Sequence, residues 1–192
     1  MNYFQSFSWI EWIGVCFTLL YNYFMMRENS WCWLFGIASS ICALIIFYQK
    51  DLMGQACLNL FYMAMAIYGL ISWRNAEKKK THILVWKANH HFYALLIGIM
   101  ASIVLYVLLK NYTENKQPIF DAMLTVFCLL ATYKEVKKIL SGWIYWIVLN
   151  IASAVLYFQN DLYGYFILMI IYSGLSIVGY FEWKKIYEKH LH

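Results

Sequence analysis

Apolar residues run along this chain in long blocks and do not alternate with polar ones. Seven blocks stand out, at residues 9–26, 31–48, 52–73, 91–109, 119–133, 143–158 and 162–183, and short polar or charged stretches separate them. An α-helix needs about 20 mostly apolar residues to cross the hydrocarbon core of a bilayer, and somewhat fewer at short spans. The pattern predicts an all-α integral membrane protein with seven transmembrane helices. The fifth block is the shortest of the seven.

The blocks also repeat. Residues 9–74 shifted by 110 positions fall without a gap on residues 119–184. Phe17 then meets Phe127, Tyr23 meets Tyr133, Trp33 meets Trp143, and Gln49 meets Gln159. Gly54, Tyr62, Gly69 and Trp73 meet Gly164, Tyr172, Gly179 and Trp183. Polar and glycine positions match as well as apolar ones, so the match is not a product of composition. Internal repeats in an apolar chain are a transporter signature. Repeat one covers 9–74, a linking span covers 91–109, and repeat two covers 119–184. Three spans reverse the side of the chain and the extra one reverses it again. The repeats therefore enter the membrane in the same direction, a 3+1+3 parallel repeat within a single membrane domain spanning 1–192.

Composition supports this placement. The chain is 63% hydrophobic and 13% charged, with a mean hydropathy of +0.55. A soluble domain of this size does not hide so much apolar surface. The first block has no basic stretch before it and no small-residue cleavage site after it, so it reads as the first span and not as a cleavable signal. The net charge of +5 points to no nucleic acid, because the charges lie in loops. Arg27, Arg74, Lys78, Lys79, Lys80, Lys87, Lys134, Lys137, Lys138, Lys184, Lys185 and Lys189 share one side. Only Lys50, Lys110 and Lys116 occupy the other. The positive-inside rule puts the C-terminus in the cytoplasm and the N-terminus outside. The Lys78–Lys80 run reads as a topology anchor at anionic headgroups.

Polar side chains inside a span are costly in lipid and should face an interior cavity. Span three collects Gln55, Asn59, Tyr62, Ala66, Gly69 and Trp73 on one helical side, and span six collects Trp143, Trp146, Asn150, Ser153 and Tyr157. Span seven offers Tyr172, Ser176, Gly179 and Trp183 at the matched positions, and span two offers Trp33, Gly36 and Ser40. These faces would hold a flat ring and hydrogen-bond its substituents. Asn59, Tyr62, Gln55, Trp146, Asn150 and Tyr172 are the candidate substrate-binding residues. Trp33, Trp73, Trp143 and Trp183 lie near span ends, where tryptophan either anchors at the interface or packs. Glu11 and Asp121 match across the repeat at the outer starts of their spans, as gates or as helix-start acids. Asp51 and Asp161 are placed to cap the helices that follow them, and Pro118 suits a helix start.

The remaining chemistry is sparse. Cys16, Cys32, Cys42, Cys57 and Cys128 form no CxxC pair and read as small packing residues. His90 and His91 are adjacent at the start of span four, so on a helix they point apart, which suits a solvated helix end better than a metal. No metal site, cofactor motif or catalytic constellation is present, and an enzyme is not expected.

The stretch Trp9–Gly14 (WIEWIG), the segment Trp33–Gln49 ending in FYQ, Ala66–Gly69 (AIYG) with Trp73, and Trp143–Asn150 (WIYWIVLN) together resemble the PnuC family of bacterial vitamin transporters. The resemblance runs in order over nearly the whole chain. It implies a fold like that of the SWEET sugar transporters and nicotinamide riboside as cargo. It also implies facilitated diffusion without ion coupling, after which a cytoplasmic kinase traps the vitamin. Span three departs from the nicotinamide riboside pattern. Asn59 stands where glutamine is usual, Ala66 where asparagine is usual, and Leu70 replaces a common tryptophan. Val178 precedes Gly179 where an asparagine is found in the family. These departures keep thiamine, and after it riboflavin, beside nicotinamide riboside. The expectation is an inner-membrane uniporter working by alternating access, with a central site formed by spans two, three, six and seven. It would have the bilayer and a small vitamin as partners and room for a homo-oligomer. A non-transporting membrane scaffold is the rival from another class.

Overall fold

The computed structural model describes residues 9–49, 53–78, 83–112, 118–159 and 163–190. Among them are seven α-helices: α1 (Trp9–Met26), α2 (Trp31–Gln49), α3 (Met53–Lys78), α4 (Ala88–Tyr112), α5 (Pro118–Val136), α6 (Gly142–Gln159) and α7 (Tyr163–Lys189). Among the described residues each apolar block coincides with one helix; most ends agree to within three residues, but α3 and α7 run five and six residues past the ends of their blocks. The physical reason is that a segment in hydrocarbon has no water to satisfy its backbone, and a helix satisfies it internally. Three stretches among the described residues are long and apolar enough to cross a membrane: Ala88–Leu108, Gly142–Gln159 and Phe166–Lys189. Trp12–Met26 and Trp31–Ile46 are shorter apolar helices. Pro118 opens α5, where its missing N–H costs nothing. Asp51, Asp161, Lys79 and Lys80 lie outside the described residues.

The chain divides into two compact units, Met1–Thr81 and His82–His192. In the first, α1 packs on α2 and α2 on α3; in the second, α4 packs on α5, α5 on α6 and α6 on α7. Helix α4 buries Ala94 and Ser102, and Gly98 sits so close to Phe127 that an added Cβ would lie 2.9 Å from its ring. Small residues one turn apart let α4 approach α5 closely, as membrane helices do. Many apolar residues elsewhere on α4 are exposed, Ile97 by 66% and Val104 by 60%, which suits a lipid-facing surface.

Each unit has the same turn after its first matched helix. Glu28 (φ 55°) and Lys138 (φ 53°) both adopt the left-handed conformation. The Asn29 N–H donates to the Phe24 carbonyl at 3.0 Å and the Ile139 N–H donates to the Lys134 carbonyl at 2.8 Å. Glu28 N–H reaches Met25 O at 3.0 Å, and Lys138 N–H reaches Glu135 O at 2.9 Å. This is a Schellman helix end, made twice without the glycine that usually relieves it. These bonds are equivalent under the 110-position shift seen in the sequence.

The matched tryptophans pack in the same way. Trp33 meets Trp73 edge-on at 5.5 Å and 89°, and Trp143 meets Trp183 at 5.5 Å and 90°. A Cβ built on Gly69 would lie 2.5 Å from the Trp33 ring, and one on Gly179 would lie 2.5 Å from the Trp143 ring. All four indoles are buried inside the protein, at 0–1% exposure, so they are packing residues and not interface anchors. The matched glycines are the ledges on which the indoles lie.

Candidate functional site

In the second unit the polar residues of α6 and α7 meet. Asn150 and Ser176 are both buried, and the Asn150 amide donates to the Ser176 hydroxyl at 3.4 Å, a long bond. Ser176 in turn donates to the Tyr172 carbonyl one turn earlier, at 2.8 Å. Trp146 lies one turn before Asn150 on the same side of α6. Its indole N–H is buried without a hydrogen-bond partner, as are the Trp143 indole N–H and the Ser173 hydroxyl. Buried polar atoms without partners are uncommon, because each forfeits about 1–3 kcal/mol of hydration. A polar ligand with hydroxyl and amide groups could satisfy them. No carboxylate belongs to this set.

The first unit carries less polarity at the equivalent level. Ser40 replaces Asn150 and Ala66 replaces Ser176, both buried; Gly36 replaces Trp146. A Cβ on Gly36 would lie 3.1 Å from the Tyr21 ring and 3.7 Å from Ala66. Asn59 and Tyr62 are half-buried on α3, and both have interaction partners. Gln55 lies in α3, but its side chain is outside the described residues. Sequence reasoning missed a cluster on α1 and α2: the Thr18 and Ser39 hydroxyls lie 2.7 Å apart. There the Asn22 amide donates to the Thr18 carbonyl at 2.9 Å. Two polar residues one turn apart inside span one were the available signal, as was Ser173 in span seven.

Asp121 is half-buried in the first turn of α5, where a negative charge meets the positive helix end. Glu11 lies in the first turn of α1, with its side chain outside the described residues. Among the described residues Cys16, Cys32, Cys42 and Cys128 form no disulfide. His90 is exposed, whereas His91 is half-buried and stacks on Tyr145 at 6.3 Å. The solvated helix end expected of both histidines therefore holds for His90 alone.

Lys134 is the largest departure from expectation. The sequence placed it in a basic loop; the structure buries it completely. Its Nζ lies 3.4 Å from the Tyr145 ring centroid, 4.4 Å from that of Trp86 and 3.3 Å from the Ser141 hydroxyl. The roof is the segment 83–87, which crosses back over the end of α5. Leu84 N–H donates to Lys138 O at 2.8 Å and Leu140 N–H to Leu84 O at 2.9 Å, a single parallel bridge. Burial lowers the Lys134 ammonium from its usual 10.5 to about 8. The ring faces and the hydroxyl offset part of the cost of holding a cation there.

A family model described as the nicotinamide mononucleotide transporter matches residues 8–185. The nicotinamide riboside transporter PnuC of Escherichia coli is 24% identical, over 92% of this chain and 85% of its own. The protein of the same name from Neisseria mucosa is 25% identical, over 97% and 76%. The riboflavin/roseoflavin transporter RibM of Streptomyces davaonensis is 22% identical, over 93% and 86%. The crystal structure of the vitamin B3 transporter PnuC superposes with a TM-score of 0.78 at 20% identity, covering 97% of this chain and 85% of that one. That likeness shows a shared fold. The family model covers nearly the whole chain, so this multi-pass helical protein belongs to the nicotinamide mononucleotide transporter family, and as a member of that family it is a transporter and not an enzyme.

Proposed function

We propose that this protein is a uniporter that passes nicotinamide riboside down its gradient across the bacterial inner membrane by alternating access. The names of the Escherichia coli and Neisseria mucosa relatives support that cargo. The observation that carries the reading is the buried α6–α7 face. There the Asn150–Ser176 pair stands with the unsatisfied Trp146 indole and Ser173 hydroxyl. A ribose and a carboxamide supply the acceptors and donors these groups lack. Aromatic faces suit the delocalised positive charge of the pyridinium ring. Asn150, Trp146 and Tyr172 read the cargo in the second unit; Asn59, Tyr62 and Gln55 do so in the first. The absence of a carboxylate from the α6–α7 set supports passage without proton coupling.

The two repeats are the moving parts, in the 3+1+3 parallel arrangement of the SWEET transporters, with α4 as the link. The basic loops support a cytoplasmic C-terminus and an external N-terminus. A cytoplasmic kinase that phosphorylates the vitamin would make uptake one-way, and the chain can work as a homo-oligomer. Glu11 and Asp121 remain helix-start acids at the outer side in this reading, with gating as their second role.

Thiamine and riboflavin are the alternatives. Buried Ala66, where an amide is usual, favours a cargo with fewer hydrogen bonds. The RibM relative supports riboflavin. Uptake of radiolabelled nicotinamide riboside into proteoliposomes, with no ion gradient, tests the proposal. It predicts saturable uptake, blocked by unlabelled nicotinamide riboside and less well by thiamine or riboflavin. Stronger block by thiamine or riboflavin would reassign the cargo. Uptake no greater than in empty liposomes would favour a membrane scaffold.

A further inference from the structure

The first turn of α6 is held from several sides at once. The Leu140 N–H donates to Leu84 O at 2.9 Å, so the strap 83–87 grips the chain just before the helix begins. Gly142, the first helical residue, lies so close to α5 that an added Cβ would stand 3.2 Å from the Lys134 Cβ. The Lys134 ammonium donates to the Ser141 hydroxyl at 3.3 Å and lies 3.4 Å from the Tyr145 ring centroid. Trp86 of the strap faces the same ammonium at 4.4 Å. From α4, His91 stacks on Tyr145 at 6.3 Å and lies 5.7 Å from Trp86.

Packing alone does not call for a cation here. At the matched positions of the first unit, Phe24 stacks on Phe35 and fills the same space with apolar rings. Burial holds the Lys134 ammonium at about 8, so the charge is kept at a cost. What the ammonium adds is direction. Ser141 and Tyr145 are four residues apart, so both contacts fall on one side of the first turn and oppose its rotation. Trp146 follows Tyr145 at about 100° around the helix, and Asn150 lies about 8 Å further along it than Tyr145. A side-chain tip about 6 Å from the helix axis moves by about 1 Å for a 10° rotation. Binding constellations tolerate about 0.5 Å and 10–20°. The unit that carries the Asn150–Ser176 pair is also the unit that carries this clamp.

We infer that Lys134 is a positioning residue for cargo recognition: covered by Trp86 of the strap, its ammonium fixes the rotation of α6 through Ser141 and Tyr145 and so aims Trp146 and Asn150. The inference rests on the proposed reading of the α6–α7 face as the cargo site.

Calorimetric titration of the purified full chain with nicotinamide riboside, at steps from pH 7 to 9.5, tests it. Wild type should lose about tenfold in affinity as the pH rises through about 8, where the ammonium loses its proton. Lys134→Met should show the weaker affinity already at pH 7, with no such fall. Lys134→Arg keeps the charge and should hold the pH 7 affinity of wild type up to pH 9.5; if that variant fails to fold, Lys134→Met alone decides. The neighbouring titratable groups are Glu135 and Lys138 on α5, His90 and His91 on α4 and Tyr145 on α6. They are common to all three chains, so the difference between profiles reports Lys134. Wild-type affinity in Lys134→Met at pH 7, or equal profiles in the two chains, would overturn the inference. If wild type does not bind nicotinamide riboside, the cargo reading fails and hydrogen exchange decides the clamp. Amides 145–150 should then exchange about tenfold faster in Lys134→Met than in wild type, with α7 unchanged, and equal rates would overturn it.

Discussion

The two units share a frame and differ in what they hang on it. Each has a Schellman turn, a buried Trp–Trp pair and a glycine ledge at matched positions. At the end of α1, Phe24 stacks on Phe35 at 5.3 Å and 11°. The matched pair in the second unit is Lys134 and Tyr145, with the ammonium 3.4 Å from the ring centroid. Along the helices, Ser40 and Ala66 in the first unit become Asn150 and Ser176 in the second. Packing is thus conserved between the halves, while the polar positions differ: Asn150 and Ser176 meet in the second, Thr18 and Ser39 in the first. Duplicated residues hold the helices together, and the unduplicated polar ones are where specific recognition and regulation should be sought.

The largest expected effect comes from the shared frame. Trp33→Ala and Trp143→Ala should each cost about 3–5 kcal/mol, since each empties a fully packed site. Thermal unfolding in detergent would show matching losses; a loss in one half only would break the equivalence. The next effect separates the halves. Asn150→Ala should weaken nicotinamide riboside binding by about 2 kcal/mol, whereas Ser40→Ala should leave it almost unchanged. Calorimetric titration of the two variants checks this, and equal losses would restore symmetry to the site. A smaller effect concerns the exchanged pair. Lys134→Phe imports the residue of the first unit and should keep stability within about 1 kcal/mol of wild type. Lys134→Ala leaves a void and should cost about 2 kcal/mol. Chemical unfolding ranks the two.

A further effect is a dependence on pH. The Lys134 ammonium is held at about 8 when folded against 10.5 in the open chain. Between those values the unfolded chain binds more protons than the folded one, so rising pH stabilises the fold. Wild type should therefore gain on Lys134→Met from about pH 8 to 10.5 and show no such gain below pH 8, by thermal unfolding in a nonionic detergent.

Helix positions were legible because a spanning segment must be both apolar and continuous, and the repeat was legible because register survived without a gap. The amide face was legible in part. Asn150 stood out as an amide within a span, but Ser173 did not, because serine so often bonds back to its own helix. The four tryptophans could not be assigned to packing from their span-end positions alone. What decided it was Gly69 and Gly179 on neighbouring helices, each leaving the space an indole fills. Lys134 was misplaced for a related reason. Lys137 and Lys138 follow it within about one turn, and its burial depends on the segment 83–87 returning from far along the chain to bridge Ile139. Non-local cover of that kind leaves no periodic trace.

The most direct test of the central claim is a titration of the purified protein with nicotinamide riboside, following intrinsic tryptophan fluorescence. With Trp146 against the cargo, quenching should be saturable, stronger than with thiamine or riboflavin, and largely lost in Asn150→Ala. Saturable quenching that Asn150→Ala leaves intact would contradict the site, and no quenching by any of the three vitamins would contradict the transporter's proposed cargo.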